Sequence, residues 1–242
     1  MTSGTTAFFT FGRFNPPTIG HKLLIDKVIA FSNGEGNQGE EGEEGDAYTF
    51  VTSTQDRGSN PLSVDEKVGL LKLMYPDDEE VRIINTTERS CRTIPQVIGK
   101  LREAGYQRLV MIVGSDRVDA FKGKFEGVTV VSAGQRDMNT EEIEGVSSIS
   151  ASKMRKLARN AALLGNAANA RAARAELIRQ FRNGINEKIS NASVGDIIRK
   201  IQERWNVPKP KGETKRARNT GSGSARKARN TSNRRKANRT NE

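Results

Sequence analysis

Short apolar runs alternate along the first half of the chain with stretches whose apolar positions recur every three to four residues. Residues 7–11 (AFFTF) form a continuous apolar run and read as a strand. Asn15-Pro16-Pro17 breaks it. Thr18 then stands where a helix N-cap belongs, and Leu23, Leu24, Val28 and Phe31 follow at helical spacing. Residues 48–53 (YTFVTS) are β-branched and aromatic, a second strand. A helix over 64–74 stops before Pro76, a third strand covers 81–84, and a helix over 94–104 ends at Gly105. Residues 108–113 (RLVMIV) are apolar almost throughout, as in the buried centre of a parallel sheet. A short helix reaching Phe121 and a strand over 128–132 complete the alternation. Strand and helix alternate from 7 to 132, which predicts an α/β fold: a doubly wound, Rossmann-like parallel sheet of about five strands.

Beyond residue 132 the pattern changes. From Ser152 the sequence reads as helix, Ala/Arg-rich to Arg182, with Asn183-Gly184 as a stop and a last helix over 194–205. Three regions follow: a core over 1–157, a C-terminal helical segment over 158–206, and a tail over 207–242. The tail has no apolar residue larger than alanine after Val207, so it is expected to be disordered.

Charge sharpens this division. The chain of 242 residues carries +11. Twelve Lys/Arg against two Glu put a surplus of ten in residues 207–242, so the rest is nearly neutral. Residues 33–46 hold six acidic side chains and no basic one in a Gly/Glu-rich stretch, expected to be a flexible, solvated loop. Twelve cations in the tail, with no aromatic residue among them, suit salt-sensitive contact with nucleic acid without base stacking. An anionic membrane surface or simple solubilisation are the alternatives. The single cysteine, Cys91, excludes an intramolecular disulfide and a cysteine-based zinc site, and fits a reducing, cytoplasmic setting. No apolar run of about 18 residues is present, so no membrane span is expected. The N-terminal apolar run lacks a basic flank and reads as a strand, not a signal peptide.

The candidate chemistry lies after the first strand, in FGRFNPPTIGH at residues 11–21. It holds the only histidine, His21, at i+3 from Thr18. Ligands of parallel α/β sheets sit at the carboxyl ends of the strands. A helix starting at Thr18 offers its first N–H groups and the positive end of its dipole to an anion. Gly12 lets a backbone approach a ligand, and Pro16 and Pro17 stiffen the turn. Thr18 and His21 on one helical turn suit charge stabilisation on a phosphate. A plain N-cap and a surface histidine are the alternative. Residues 149–155 (ISASKMR) repeat the theme: Ser150 and Ser152 at a helix start, with Arg155 as a fork for phosphate oxygens.

Taken together, the two segments resemble the signatures of the nucleotidylyltransferase superfamily. Gly12, Phe14, Pro16, Thr18, Gly20 and His21 fit the first, near G-x-F-x-P-x-[HT]-x-G-H. Ile149, Ser150, Ser152 and Arg155 fit the second, near I-S-S-T-x-x-R, with Ala151 in place of a serine. The resemblance covers residues 7 to about 157 and points toward phage- or archaeal-type relatives of the nicotinamide-nucleotide adenylyltransferases. It implies transfer of a nucleotidyl group from an NTP to a small phosphate-bearing acceptor, NMN being one candidate, with Mg²⁺ and release of pyrophosphate. It implies Thr18, His21 and Arg155 as catalytic residues. Gly12, Arg13, Phe14, Asn15, Gly20, Ser150 and Ser152 would serve the nucleotide. Arg13 is similar to the arginine of a GRF-x-P subgroup and favours ATP over CTP. No residue is assigned as a metal ligand.

Two further segments bear on the acceptor. VGSDRVDAF (113–121) resembles the G-x-D segment of the nicotinamide adenylyltransferases at Gly114 and Asp116. Asp116 either meets a ribose or base edge or caps the next helix. That family's stacking tryptophan is not evident, since Trp205 lies far along the chain. In QDRGSNPLSVDEK (55–67), Arg57 and Asn60 either face the acceptor or only lead into a helix capped by Ser63. Two rival functions use the same features: a cytidylyltransferase forming a CDP-alcohol, and an idle core in a nucleic-acid-binding or virion-associated protein. A phage-encoded chain would work in the host cytoplasm or the virion.

Overall fold

The computed structural model describes residues 6–35, 41–77, 80–87, 91–134, 150–164 and 171–206. The elements in chain order are β1 (Thr6–Gly12), α1 (Ile19–Ser32), β2 (Asn33–Glu35), β3 (Glu41–Glu44), β4 (Asp46–Val51) and α2 (Val64–Met74). Then come β5 (Arg82–Asn85), α3 (Ile94–Glu103), β6 (Arg108–Val113), a 3₁₀ turn at Ser115–Arg117, α4 (Val118–Phe121) and β7 (Val128–Ser132). Helices α5 (Ala151–Leu163), α6 (Arg171–Asn183) and α7 (Asn191–Asn206) finish the described chain.

Strands β5-β4-β1-β6-β7 form one five-stranded sheet in that order. Every pairing in it is parallel, with Phe9 beside Met111 and Gly12 beside Val51. The expected Rossmann-like sheet is thus observed. Its strand order reverses between β1 and β6, so the ligand crevice of such a sheet lies at the carboxyl ends of those two strands.

Alternation along the strands splits the core between two faces. Phe8, Val110 and Ile112 pack with α1, α2, α5 and α7, while Phe9, Leu109, Met111 and Val113 pack with Val97 and Leu101 of α3. Burial on both faces explains why β1 and β6 read as apolar runs. The C-terminal helices share the first face. Phe181, Ile185, Ile189, Val194, Ile197, Ile198 and Ile201 are all buried with Phe8, Phe14 and Leu62. Each such side chain removed from water contributes about 1.5–3 kcal/mol, so these helices are integral to the fold.

The chain divides into two compact units, Met1–Val207 and Pro208–Glu242. The second, and with it the basic tail, lies outside the described residues.

Three expectations change. The acidic stretch 33–46 is not simply a solvated loop: β2 and β3 pair antiparallel within it. Backbone pairing satisfies the polar groups there, and Glu43 is neutralised by Arg108 while accepting from the Thr6 hydroxyl at 2.6 Å. Residues 36–40 lie outside the description. The Ala/Arg-rich run is two helices rather than one, since α5 ends at Leu163 just before Gly165 and Asn166. Helix α7 begins three residues earlier than its apolar pattern because the Ser190 hydroxyl accepts the Ser193 N–H at 3.2 Å.

Candidate active site

The loop after β1 is built around a buried aromatic ring. Phe14 is fully buried and sits at φ +47°, a conformation few side-chain-bearing residues adopt. Its ring folds back over Gly12: a Cβ there would lie 2.8 Å from Phe14 Cε2. The space kept open by Gly12 is therefore filled by this ring. The same ring lies tilted against that of His21, with centroids 5.0 Å apart. Phe14 thus serves the site from beneath, as the seat of the imidazole.

Thr18 caps α1 and controls the histidine. Its backbone N–H donates to His21 Nδ1 at 3.1 Å, and its hydroxyl lies 3.0 Å from the same atom. An Nδ1 that accepts an N–H carries no proton, which leaves the ring proton on Nε2. Thr18 is almost fully buried, so its hydroxyl acts on His21 before it acts on any ligand. The first N–H groups of α1 are not all open to an anion, as the sequence suggests. The Ile19 N–H donates to the Gly184 carbonyl at 3.1 Å, and the His21 N–H turns back to the Thr18 carbonyl at 2.9 Å. Gly20 follows in the same half-exposed first turn.

Asn15 is a clip between loops. Its side chain donates to the Leu62 carbonyl and accepts the Leu62 N–H, each at 3.0 Å, in a buried setting. Its own carbonyl accepts from Arg155 Nη1 at 2.5 Å. That bond spans 140 residues and brings the two signature segments together.

On α5, Ser150 is the N-cap, accepting the Lys153 N–H at 3.2 Å. Arg155 Nη2 donates to the exposed Ser152 hydroxyl at 3.0 Å. Burial lowers the proton affinity of Arg155, and the neighbouring charges of Arg159 and Arg13 lower it further; Asp56 acts the other way. Arg13 itself is exposed. Cations therefore gather where the β1 loop meets α5. Ile149 of the second signature lies outside the described residues.

The loop after β4 is locked rather than open. Asp56 Oδ1 accepts the N–H groups of Gly58 at 2.9 Å, Ser59 at 2.5 Å and Asn60 at 3.3 Å. The Asn60 side chain donates to the other carboxylate oxygen, so Asn60 is buried and engaged within its own loop. Partial burial opposes ionisation of Asp56, but those donors outweigh it and hold its pKa below the ordinary value. Arg57 is exposed at the loop's tip. Ser63 caps α2 in a reciprocal pair with Glu66, at 3.3 and 2.7 Å.

Sequence reasoning missed what fixes this loop. Lys67 is completely buried and donates to the carbonyls of Thr52 at 2.5 Å and Thr54 at 3.3 Å; burial brings its pKa down to about 8. From α7, Arg204 pairs with both Glu66 oxygens at 2.7 and 3.0 Å and donates to the Pro61 carbonyl. Lys200 adds a contact to Glu66 at 3.0 Å. Arg159 donates to the Gly58 carbonyl and lies 5.6 Å from the ring centroid of Trp205. The tryptophan that looked remote in sequence is thus carried by α7 to the loop's outer wall.

After β6, Gly114 opens onto Asp116, whose Oδ1 lies 2.6 Å from where a Gly114 Cβ would be. The Asp116 side chain is exposed and faces Arg117 at 3.9 Å. Gly114 and Asp116 stand at the end of β6, the strand next to β1.

The fold has known counterparts. The chain aligns with Plasmodium falciparum nicotinic acid mononucleotide adenylyltransferase complexed with NaAD, at a TM-score of 0.51 and 11% identity, over 84% of this chain and 99% of that one. The fold is similar to that of this Plasmodium enzyme. The same Plasmodium enzyme complexed with APC gives 0.48 at 11% identity, over 84% and 99% of the two chains. A Vibrio parahaemolyticus protein assigned as a nicotinate-nucleotide adenylyltransferase gives 0.42 at 16% identity, over 72% and 98%. No family model matches the chain, and no curated protein matches it in sequence. No described helix is long and apolar enough to cross a membrane.

Proposed function

We propose that this protein is a nucleotidyltransferase that moves an adenylyl group from ATP to a small acceptor bearing a phosphate, with NMN the first acceptor to try. The observation that carries the proposal is the bond from Arg155 to the Asn15 carbonyl, which joins the His21 turn and the α5 N-terminus at the carboxyl end of β1. The relation of fold to the Plasmodium enzyme, itself complexed with NaAD, supports the same reading.

In this reading an oxygen of the acceptor phosphate attacks the α-phosphorus. A new P–O bond forms, the bond from the α-phosphorus to the bridging oxygen breaks, and pyrophosphate leaves with that electron pair. Nothing is oxidised or reduced. Negative charge grows on the α-phosphate oxygens, where the His21 Nε2–H donates. Thr18 holds the ring in the tautomer that makes this possible. Arg155, with Ser152 beside it, takes oxygens of the departing β- and γ-phosphates. The clip between Asn15 and Leu62 sets the acceptor-side loop against the nucleotide side.

Among the described residues no three His, Cys, Asp or Glu side chains converge to hold a metal. Magnesium would arrive on the nucleotide's phosphates as part of the substrate, and no step above runs through it.

The surplus of ten positive charges in residues 207–242 supports a second role, contact with nucleic acid.

The test is pyrophosphate release with Mg²⁺ and either ATP or CTP, over a panel of acceptors led by NMN, with products identified by mass. A dinucleotide formed by the wild type and not by His21→Ala is the expected result. A CDP-alcohol would replace the donor and acceptor and keep the mechanism. Absence of both turnover and nucleotide binding would overturn the proposal and favour the idle-core alternative.

A further inference from the structure

Helix α5 carries a second arginine, Arg159, one turn after Arg155, so both guanidiniums lie on one helical face. Arg159 makes two contacts and leaves one buried donor unmatched. One terminal nitrogen donates to the Gly58 carbonyl, and the planar group lies over Trp205 at 5.6 Å. Its Nε is fully buried and has no hydrogen-bond partner among the described residues. A buried N–H without an acceptor is costly to keep.

The local charge balance is also one-sided. The charges of Arg159 and Arg13 act against that of Arg155, and the carboxylate acting the other way on it is Asp56. That carboxylate already accepts three backbone N–H groups and the Asn60 amide. Like charges held this close oppose each other unless an anion joins them. Planar forks at successive turns match the oxygens of a diphosphate better than a single phosphate.

We propose that Arg159 is a second polyphosphate-binding arginine, resting on Trp205 and Gly58 in this structure and turning its buried Nε and outer nitrogens onto the leaving pyrophosphate when nucleotide binds. The inference rests on the nucleotidyl-transfer reading and adds a residue to it. It also gives Trp205 a function: an aromatic rest for the guanidinium between turnovers.

Trp205 is the only tryptophan of the chain, so its emission reports on this contact alone. The experiment is a titration of the full-length protein with inorganic pyrophosphate, read both by calorimetry and by tryptophan fluorescence. The wild type should bind with a change in emission. Arg159→Gln should bind about tenfold or more weakly, the scale of one lost charge-assisted contact, and lose the emission change. Arg159→Lys should recover part of the affinity. Asn60→Ala loosens the 56–60 loop without altering charge, and should bind within about twofold of wild type. If Arg159→Gln does not fold, Arg159→Met keeps the stem against Trp205 and replaces it.

Wild-type affinity in Arg159→Gln would overturn the inference, as would an equal loss in Asn60→Ala, which would route the effect through the loop. Those failures leave a wild type that binds pyrophosphate in an Arg155-dependent manner. Failure of the wild type to bind pyrophosphate or ATP would instead overturn the nucleotidyl-transfer reading itself.

Discussion

Thr18 meets His21 twice at one atom: its backbone N–H and its hydroxyl lie 3.1 and 3.0 Å from Nδ1. The cap residue of α1 is therefore also the residue that sets the histidine's proton.

Removing the imidazole should lower turnover far more than it alters nucleotide binding. His21→Ala is expected to reduce kcat by about 10²-fold or more, the scale of a lost transition-state charge contact. Thr18→Val keeps the backbone bond and loses the hydroxyl. Its cost should be about five- to tenfold, near the worth of one hydrogen bond of about 1 kcal/mol. Steady-state pyrophosphate release for the three proteins checks the order.

The two glycines at the carboxyl ends of β1 and β6 should respond differently to an added methyl. Gly12→Ala drives a Cβ to 2.8 Å from a fully buried ring. Overpacking of this kind costs about 1–3 kcal/mol and should lower Tm by about 3–10 °C. At Gly114 the clash is with the carboxylate of an exposed aspartate, which can turn aside. Gly114→Ala should stay within about 0.5 kcal/mol of wild type. Thermal melts of both variants separate the two cases.

Acid should weaken the tie between α7 and the loop after β4. Burial opposes ionisation of Glu66, but the Arg204 hydrogen bonds, the Ser63 N–H and Lys200 overcome it and hold its pKa at about 2, against an ordinary 4.5. The unfolded chain therefore binds more protons than the native one between those values. Glu66's contribution is complete above pH about 4.5 and is lost as pH falls toward 2. Glu66→Gln should melt below wild type at pH 7, and the gap should close with acidification through that window. A gap that stays constant with pH would exclude Glu66 as its source.

Deleting residues 207–242 should remove salt-sensitive retention on DNA and leave Tm unchanged. The twelve cations there hold nearly all of the chain's surplus charge, whereas the core of the described residues is built without that segment. Chromatography on immobilised DNA at rising salt, with a melt of the shortened chain, checks both halves. Retention that survives the deletion would place the polyanion contact elsewhere.

The sheet was legible because its signals are local. Residues 108–113 and 128–132 were read as strands on apolar runs alone, and they are β6 and β7 residue for residue. The helix over 64–74 was equally plain from its cap and periodicity. The β2–β3 pair was hidden because its strands bury little and are made by backbone pairing between polar residues. Within the site, the segments containing Thr18, His21 and Arg155 could be read from their spacing, but their fastenings could not. Asn15 to Leu62, Arg204 to Glu66 and Arg159 to Gly58 join residues 47 to 138 apart, and no local pattern marks such a pair. The same holds for Gly12, whose reason for being glycine is a ring two residues on that turns back at positive φ.

The bond from the Ile19 N–H to the Gly184 carbonyl also orders events in time. On the ribosome β1 and the first turn of α1 are made early, and Gly184 emerges more than 160 residues later. The first turn of α1 cannot reach its finished arrangement until α6 has ended and the chain has turned toward α7. Maturation of the crevice at the carboxyl end of β1 is therefore tied to a late stage of synthesis, and a nascent chain stalled before Gly184 would carry both signature segments and still lack a finished first turn of α1.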